Sequence, residues 1–261
     1  MVLSVLYCSR KERRMSKEIN VNRYNRQYGS DIPYRYKVNT RYLRHFIVLL
    51  EKSIPSEEIH CVLDLGCGYG ILTALLAQDY PEAAVEGWDI SEVGIAAAKG
   101  AWGMLQNLSF ACCDATQRES EKKFQLICAF EVLEHIDEWE TLLEKMIGLN
   151  EGYMIISAPV GRMRDYEIAH GHVRNFKKGE IEDFLSGKGY EAVKCYYAGF
   201  PFWSPLTRDL LNLFPQNESN VQGEKLSIAK KGISLLLYFL FRFCSFKNKG
   251  DMFVGLFKKV S

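Results

Sequence analysis

Glu131, Glu134 and His135 stand at relative positions 0, 3 and 4, so on a helix they would share one face within an arc of about 100°. Two carboxylates and an imidazole placed that way bind a divalent cation when one more ligand arrives from elsewhere. His170 or His172, in the run Ala169-His170-Gly171-His172-Val173, could supply it. The same imidazoles offer a second chemistry, because a histidine within reach of an acceptor hydroxyl is the usual general base. His135, His170 and His172 are therefore the candidate catalytic residues. Glu131, Glu134 and His135 are the candidate metal ligands, with Mg²⁺ as the candidate ion. The alternative is structural: acids opening a helix favourably and histidines bonded locally.

A second group lies upstream. Val62-Leu63-Asp64-Leu65-Gly66-Cys67-Gly68-Tyr69-Gly70 is an apolar strand running into three glycines at spacing two. Glycines there let the chain turn sharply and let a ligand approach the main chain where a side chain would collide. An acid, Asp89, closes the next apolar run 19 residues after Gly70, where a ribose hydroxyl pair would need an acceptor. The structural alternative is a tight turn, with Asp89 capping the helix that starts near Ser91.

The spacing is G-x-G-x-G with an acid two residues before it, unlike the G-x-G-x-x-G of dinucleotide folds. Taken with Trp88-Asp89, Cys113-Asp114-Ala115 and Phe130-Glu131-Val132-Leu133-Glu134-His135, it resembles the successive motifs of class I S-adenosylmethionine-dependent methyltransferases. The resemblance runs from roughly Tyr42 to Ala198, plus the final strand. It implies that Gly66, Cys67 and Gly68 line the methionine end, with Asp64 beneath it and Gly70 also in the cofactor loop. Asp89, with Ile90 beside it, would accept from both ribose hydroxyls, Asp114 and Ala115 would contact the adenine, and Phe130 would close the site. The E-x-x-E-H run with a distal histidine also resembles two metal-assisted kinds, the ubiquinone-pathway catechol-type enzymes and the RNA 3′-terminal 2′-O-methyltransferases. It equally resembles many metal-independent members.

These residues need elements to hold them. Short apolar runs at Cys61–Leu65, Val85–Ile90, Leu108–Cys113, Phe124–Phe130 and Tyr153–Ala158 alternate with helical patterns at Ile71–Gln78, Glu92–Ala101 and Glu138–Ile147. That alternation predicts βαβ units and a doubly wound, mostly parallel sheet with its ligand at the strand carboxyl ends. A helix near Lys177–Gly187, a strand at Tyr190–Tyr197 and a last strand at Met252–Lys259 complete seven strands, the last antiparallel as in the resembled family.

The expected organisation is a single Rossmann-like α/β domain, residues 15–261: an N-terminal helical cap (15–58), a cofactor-binding core (59–198), a lid-like insertion (199–250) and the last strand (251–261). Residues 1–14 read as disordered or as an extension. Aromatics cluster before the core (Tyr24, Tyr28, Tyr34, Tyr36, Tyr42) and in the insertion (Tyr196, Tyr197, Phe200, Phe202, Trp203), where they would wall an acceptor pocket. Arg162 and Arg164 are expected in a solvated loop or against an anionic substrate. The apolar stretch 228–246 with basic flanks suits a core helix, a homodimer interface or peripheral contact with a membrane surface.

Composition narrows the partners. The 261 residues carry 33 Lys and Arg against 32 Asp and Glu, a net charge of +1, which disfavours a nucleic-acid acceptor. The eight cysteines form no C-x-x-C and include the vicinal pair Cys112 and Cys113, so they read as thiols of a cytoplasmic protein. No apolar run approaches the roughly 20 residues that span a bilayer. The expected activity is methyl transfer to a small-molecule acceptor, most simply at a hydroxyl. RNA 2′-O-methylation, small-molecule N-methylation, a nicotinamide-dependent dehydrogenase and a catalytically inactive cofactor-binding protein are the alternatives.

Overall fold

The computed structural model describes residues 34–209 and 228–260 together with the single positions 25 and 32. The expected extension 1–14 and the aromatics Tyr24 and Tyr28 lie outside the described residues, and of Tyr34 and Tyr36 only the backbone is described.

Seven strands form one sheet in the order β3-β2-β1-β4-β5-β7-β6: β1 Cys61–Leu65, β2 Ala84–Asp89, β3 Leu108–Cys112, β4 Phe124–Phe130, β5 Asn150–Pro159, β6 Tyr190–Ala198 and β7 Met252–Lys259. Neighbours among β1 to β5 pair in parallel, while β7 runs antiparallel to both β5 and β6. This is the α/β sheet expected, antiparallel last strand included. Side chains alternate between its faces, as the two-residue period of a strand requires. Val62, Leu126, Cys128 and Ile155 join one core cluster, and Leu63, Ile127, Ala129 and Ile156 the other.

Helices cover both faces. On the first lie α1 (Tyr34–Glu51) and α2 (Ile71–Asp79); on the second lie α4 (Trp139–Leu149) and α6 (Glu180–Ser186), while α3 (Glu92–Trp102) packs against β3 and β2. In α1 the residues Tyr42, Leu43, Phe46, Ile47 and Leu50 recur at helical spacing and are all buried, each contributing about 1.5–3 kcal/mol through removal of apolar surface from water. In α4 Trp139, Leu142, Leu143 and Met146 do the same on the opposite face.

Helix α5 (Asp165–Ala169) is a single turn that the sequence pattern does not announce. Within the expected insertion, α7 (Ile228–Cys244) follows the apolar run closely and packs on α1. No helix among the described residues is long and apolar enough to cross a membrane.

Two expectations about side chains need correction. Tyr42 and Trp203 do not wall a pocket; they stack 4.8 Å apart, and Tyr42 meets Phe241 of α7 at 4.5 Å, edge to face. Tyr196 packs on Phe46 in the same cluster. These rings seal α1 and α7 onto the sheet because flat apolar surfaces are removed from water most completely against one another. Arg164 is not in a solvated loop either. It is 5% exposed and bonds Asp209 at 2.6 Å and Asp251 at 3.4 Å, ion pairs that permit burial of its charge.

Candidate functional site

Strand order reverses between β1 and its neighbours β2 and β4, and the crevice at that switch point is where a doubly wound sheet takes its ligand. A cavity of about 640 Å³ opens there, within the roughly 300–1,000 Å³ usual for small-molecule sites. Its walls come from the ends of β1, β2, β3 and β4, from Thr40 and Leu43 of α1, and from His170 and His172 beyond β5.

The glycine loop between β1 and α2 is shaped by backbone that other residues resist. Gly66, Gly68 and Gly70 have φ of 71°, 51° and 68°, and a Cβ on Gly66 would stand 2.4 Å from Val132 Cγ2. The Gly66 and Cys67 amides donate to the carbonyl of Trp88 at 2.8 and 3.1 Å, stitching the loop to β2. The chain thus forms a groove whose floor is bare backbone, a surface a ligand can touch and a side chain would fill.

Asp89 ends β2 and is buried at 9% exposure. Its Oδ2 accepts from the Gly68 amide and its Oδ1 from the Ser91 amide, both at 2.8 Å. It therefore does not cap α3; Ser91 does, its hydroxyl accepting from the Gly94 amide at 3.1 Å. Burial raises the Asp89 pKa, and the amides from Ser91 and Gly68 partly oppose that. Beneath the loop, Asp64 Oδ2 accepts from the Thr73 hydroxyl at 2.7 Å, and burial pushes its pKa up to about 7. Ile90, Asp114, Ala115 and Phe130 all face the cavity, and Asp114 Oδ1 takes the amide and hydroxyl of Thr116 at 3.0 and 2.7 Å. Nine of the ten residues expected to hold the cofactor line this crevice; Gly70 does not, and stands at the loop's far end as the residue before α2.

The acid and imidazole group differs from its expected arrangement. Glu131 to His135 is not an α-helix: Glu131 has φ 56° and Leu133–His135 form one tight 3₁₀ turn. A non-glycine residue held left-handed is strained, a condition that clusters at functional sites. Glu131 is turned aside and accepts from the Ser157 hydroxyl at 2.8 Å. The expected metal set of Glu131, Glu134 and His135 is thereby corrected. The groups that converge are Glu134, His135 and His172, each offering a ligand atom within 4.8 Å of the others.

Glu134 is fully buried, and among the described residues neither carboxylate oxygen has a hydrogen-bond partner. Burial, then the charge of Glu131, hold its pKa well above the ordinary carboxylate value. His135 Nδ1 lies 3.1 Å from the carbonyl of Gly171, which can only accept, so Nδ1 is the protonated nitrogen. Its Nε2 stands 3.9 Å from Glu134 Oε1, and the His172 ring meets the His135 ring edge to face at 4.7 Å. His170 belongs to the wall but not to this trio, its Nδ1 donating to the Tyr166 carbonyl at 2.6 Å.

The loop carrying these histidines is held by residues that spacing alone does not reveal. The carbonyl of Glu167 accepts from the amides of His170 and His172 at 2.9 and 3.0 Å, and the carbonyl of Glu134 accepts from Val173 at 2.8 Å. The Glu167 carboxylate is paired with Arg208, a residue in the segment after β6. Nothing in the sequence links two positions so far apart.

Comparison with known proteins agrees with this geometry. Residues 62–149 match the family described as a methyltransferase domain. The chain is 38% identical over 96 residues to a trans-aconitate 2-methyltransferase of Methylobacterium radiotolerans, covering 37% of this chain and 36% of that protein. It is 27% identical over 114 residues to a malonyl-[acyl-carrier protein] O-methyltransferase of Ilyobacter polytropus, covering 43% and 44%. The aligned stretch thus spans less than half the length of these curated relatives. Among solved structures, the O-methyltransferase of a Brevibacillus brevis trans-AT polyketide multienzyme, in complex with S-adenosyl-L-homocysteine, superposes with a TM-score of 0.58 at 15% identity, covering 87% of this chain and 77% of that one. A magnesium protoporphyrin IX methyltransferase of Synechocystis gives 0.51 at 21% identity, covering 68% and 86%, and at such identities the likeness is one of fold. From the strand order, the glycine loop and these matches together, residues 62–149 are similar to a methyltransferase domain, set in a fold shared with methyltransferases solved with S-adenosyl-L-homocysteine.

Proposed function

We propose that the protein transfers the methyl group of S-adenosylmethionine to a hydroxyl oxygen of a small-molecule acceptor. The observation that carries this reading is the position of Glu134, His135 and His172 in the wall of the same cavity that the glycine loop and Asp89 enter. A methyl transfer needs alignment more than chemical assistance, but a hydroxyl acceptor must also lose its proton.

The crevice fits the cofactor. Its floor is formed by Gly66 and Gly68, which carry no side chain into it, and its wall holds a buried carboxylate at the end of β2. Gly66 to Gly68 would receive the methionine portion and Asp89 the ribose hydroxyls, with Asp114 and Ala115 beside the base. When bound, the sulfonium supplies an activated methyl. Phe130 and the rings of His135 and His172 exclude water from the transfer path, and His135 Nε2 takes the acceptor proton while Gly171 fixes its ring through Nδ1.

A second reading concerns a metal. Glu134 with both oxygens unbonded, beside two imidazoles, is the donor set of a divalent cation such as Mg²⁺ or a softer ion. Held by Glu134, His135 and His172, such an ion would lower the pKa of an acceptor hydroxyl. Acceptor turnover with and without chelator, against Glu134→Gln, separates the two readings.

The reading as a whole is tested by titrating the protein calorimetrically with S-adenosylhomocysteine, with NAD as control, and then screening phenols, hydroxy acids and amines for methylation. Product binding without NAD binding, followed by turnover of a hydroxyl acceptor, is the expected outcome. NAD binding instead would return the chain to the dehydrogenases, and binding with no turnover of any acceptor would leave a cofactor-binding protein. An amine as the preferred acceptor would overturn the oxygen assignment alone.

A further inference from the structure

Helix α7 is apolar on two opposite sides, and among the described residues only one of them has a partner within the fold. Its inner side carries Phe241, 3% exposed, with Tyr238 beside it, packed on Tyr42 and Phe46 of α1. Its outer side carries Ile233, Leu236, Phe239 and Phe243, at 59%, 57%, 54% and 65% exposure. At 100° per residue these four fall within an arc of about 120°. Leu235 and Phe246 extend the patch at 60% and 53%. A helix resting on a domain normally turns charge outward, and one apolar all round is normally enclosed.

The charges around this patch identify what encloses it. Between residues 228 and 249 stand Lys230, Lys231, Arg242, Lys247 and Lys249, with no Asp or Glu, on a chain whose net charge is only +1. The described cations are exposed, and two of them lie over aromatic rings: the Arg242 guanidinium 5.3 Å from the Phe243 ring centre and the Lys249 ammonium 5.5 Å from that of Phe246. A second copy of the chain is disfavoured, because a twofold interface would bring the same cations against themselves. An anionic surface with an apolar interior satisfies both features, the rings entering the acyl boundary and the cations meeting headgroups. The helix has 17 residues, about 26 Å, and with its charges it suits lying in the interface rather than crossing it.

We propose that α7 is a membrane-docking helix that binds anionic lipid surfaces through Ile233, Leu236, Phe239 and Phe243. Docking there would set α1, which α7 contacts and which contributes Thr40 and Leu43 to the cavity, one helix away from the bilayer. The inference stands apart from methyl transfer and needs no bound cofactor.

The test is flotation of the full chain with vesicles of phosphatidylcholine alone and with one third phosphatidylglycerol, at low and high salt, for wild type, Phe239→Ser/Phe243→Ser and Lys247→Glu/Lys249→Glu. Wild type is expected to float with the anionic vesicles, losing association as salt rises, and each double variant to bind at least about tenfold less. All four substituted side chains are exposed, and unchanged thermal unfolding of the variants shows that loss of binding is not loss of fold. Failure of wild type to float, or flotation unaltered in the Phe239→Ser/Phe243→Ser variant, overturns the proposal. So does a sedimenting dimer that the same variant dissociates without any lipid binding, since the face would then belong to a second copy.

Discussion

Arg208 and Glu167 form an ion pair with almost no access to water, each side chain 2% exposed and 41 residues apart in the chain. Arg208 Nε also donates to the Tyr166 hydroxyl at 3.2 Å and its Nη1 to the Asp251 carbonyl at 3.3 Å. The other Glu167 oxygen accepts from the Arg164 amide at 2.7 Å, while the backbone of the same residue holds the amides of His170 and His172. One buried carboxylate therefore ties the segment after β6 to the loop that presents both histidines to the cavity.

Arg208→Met leaves Glu167 charged and unpaired inside the fold, a loss of about 3–5 kcal/mol. Chemical denaturation should show it as a lowered midpoint. Because the glycine loop lies elsewhere, affinity for S-adenosylhomocysteine should survive while turnover of the acceptor falls. Equal loss of both would mean that the pair supports the fold in general and not the histidine loop.

Asp89→Ala removes the acceptor of the Gly68 and Ser91 amides together with the carboxylate proposed to meet the ribose. Calorimetry with S-adenosylhomocysteine should show binding weakened about 100-fold or more. Retained affinity would displace the cofactor from this end of the crevice.

Gly66→Ala combines a left-handed φ of 71° with a methyl 2.4 Å from Val132 Cγ2, for a cost of about 2–4 kcal/mol. Adding Val132→Ala relieves the collision but not the backbone strain, so the double variant should recover only part of the stability. Full recovery would show that the backbone tolerates a side chain there.

Stability should carry a signature of Asp64. Its pKa of about 7 in the folded chain lies above the ordinary 3.8, so between about pH 4 and 7 the folded state keeps a proton that the unfolded state has released. Stability contributed by this group falls as pH rises through that window and levels off above 7. Asp64→Asn should remove that slope from the difference between denaturation curves measured at pH 5 and pH 8. An unchanged slope would mean that Asp64 is ionised in the native protein.

His135→Gln should lower kcat by about 10²–10⁴, leaving product binding intact. Wild-type turnover in this variant would remove His135 from the chemistry.

Much of the architecture could be read along the chain because it depends on local periodicity. Alternating apolar residues required buried strands, three glycines at spacing two required the turn, and short βαβ connections required β1 to β5 to run parallel. Nine residues lining the crevice could be named from the sequence for the same reason: they lie at the carboxyl ends of parallel strands or in the loops that follow them, and those ends converge by topology.

Position in the sequence could not decide contacts between segments far apart. A helical spacing of three and four suggested that Glu131 shares a face with Glu134 and His135. The tertiary structure breaks the helix there, because Ser157 on β5 captures Glu131 and the loop at Gly171 captures His135. His172 thus takes the place expected for Glu131. Tyr42 and Trp203 were legible as large apolar rings but not as partners of each other, and Arg164 was legible as a cation but not as a buried one. Glycine spacing and strand pattern are properties of neighbouring residues and are written in order, whereas burial of a charge or the partner of a carboxylate depends on which distant surfaces exclude water together.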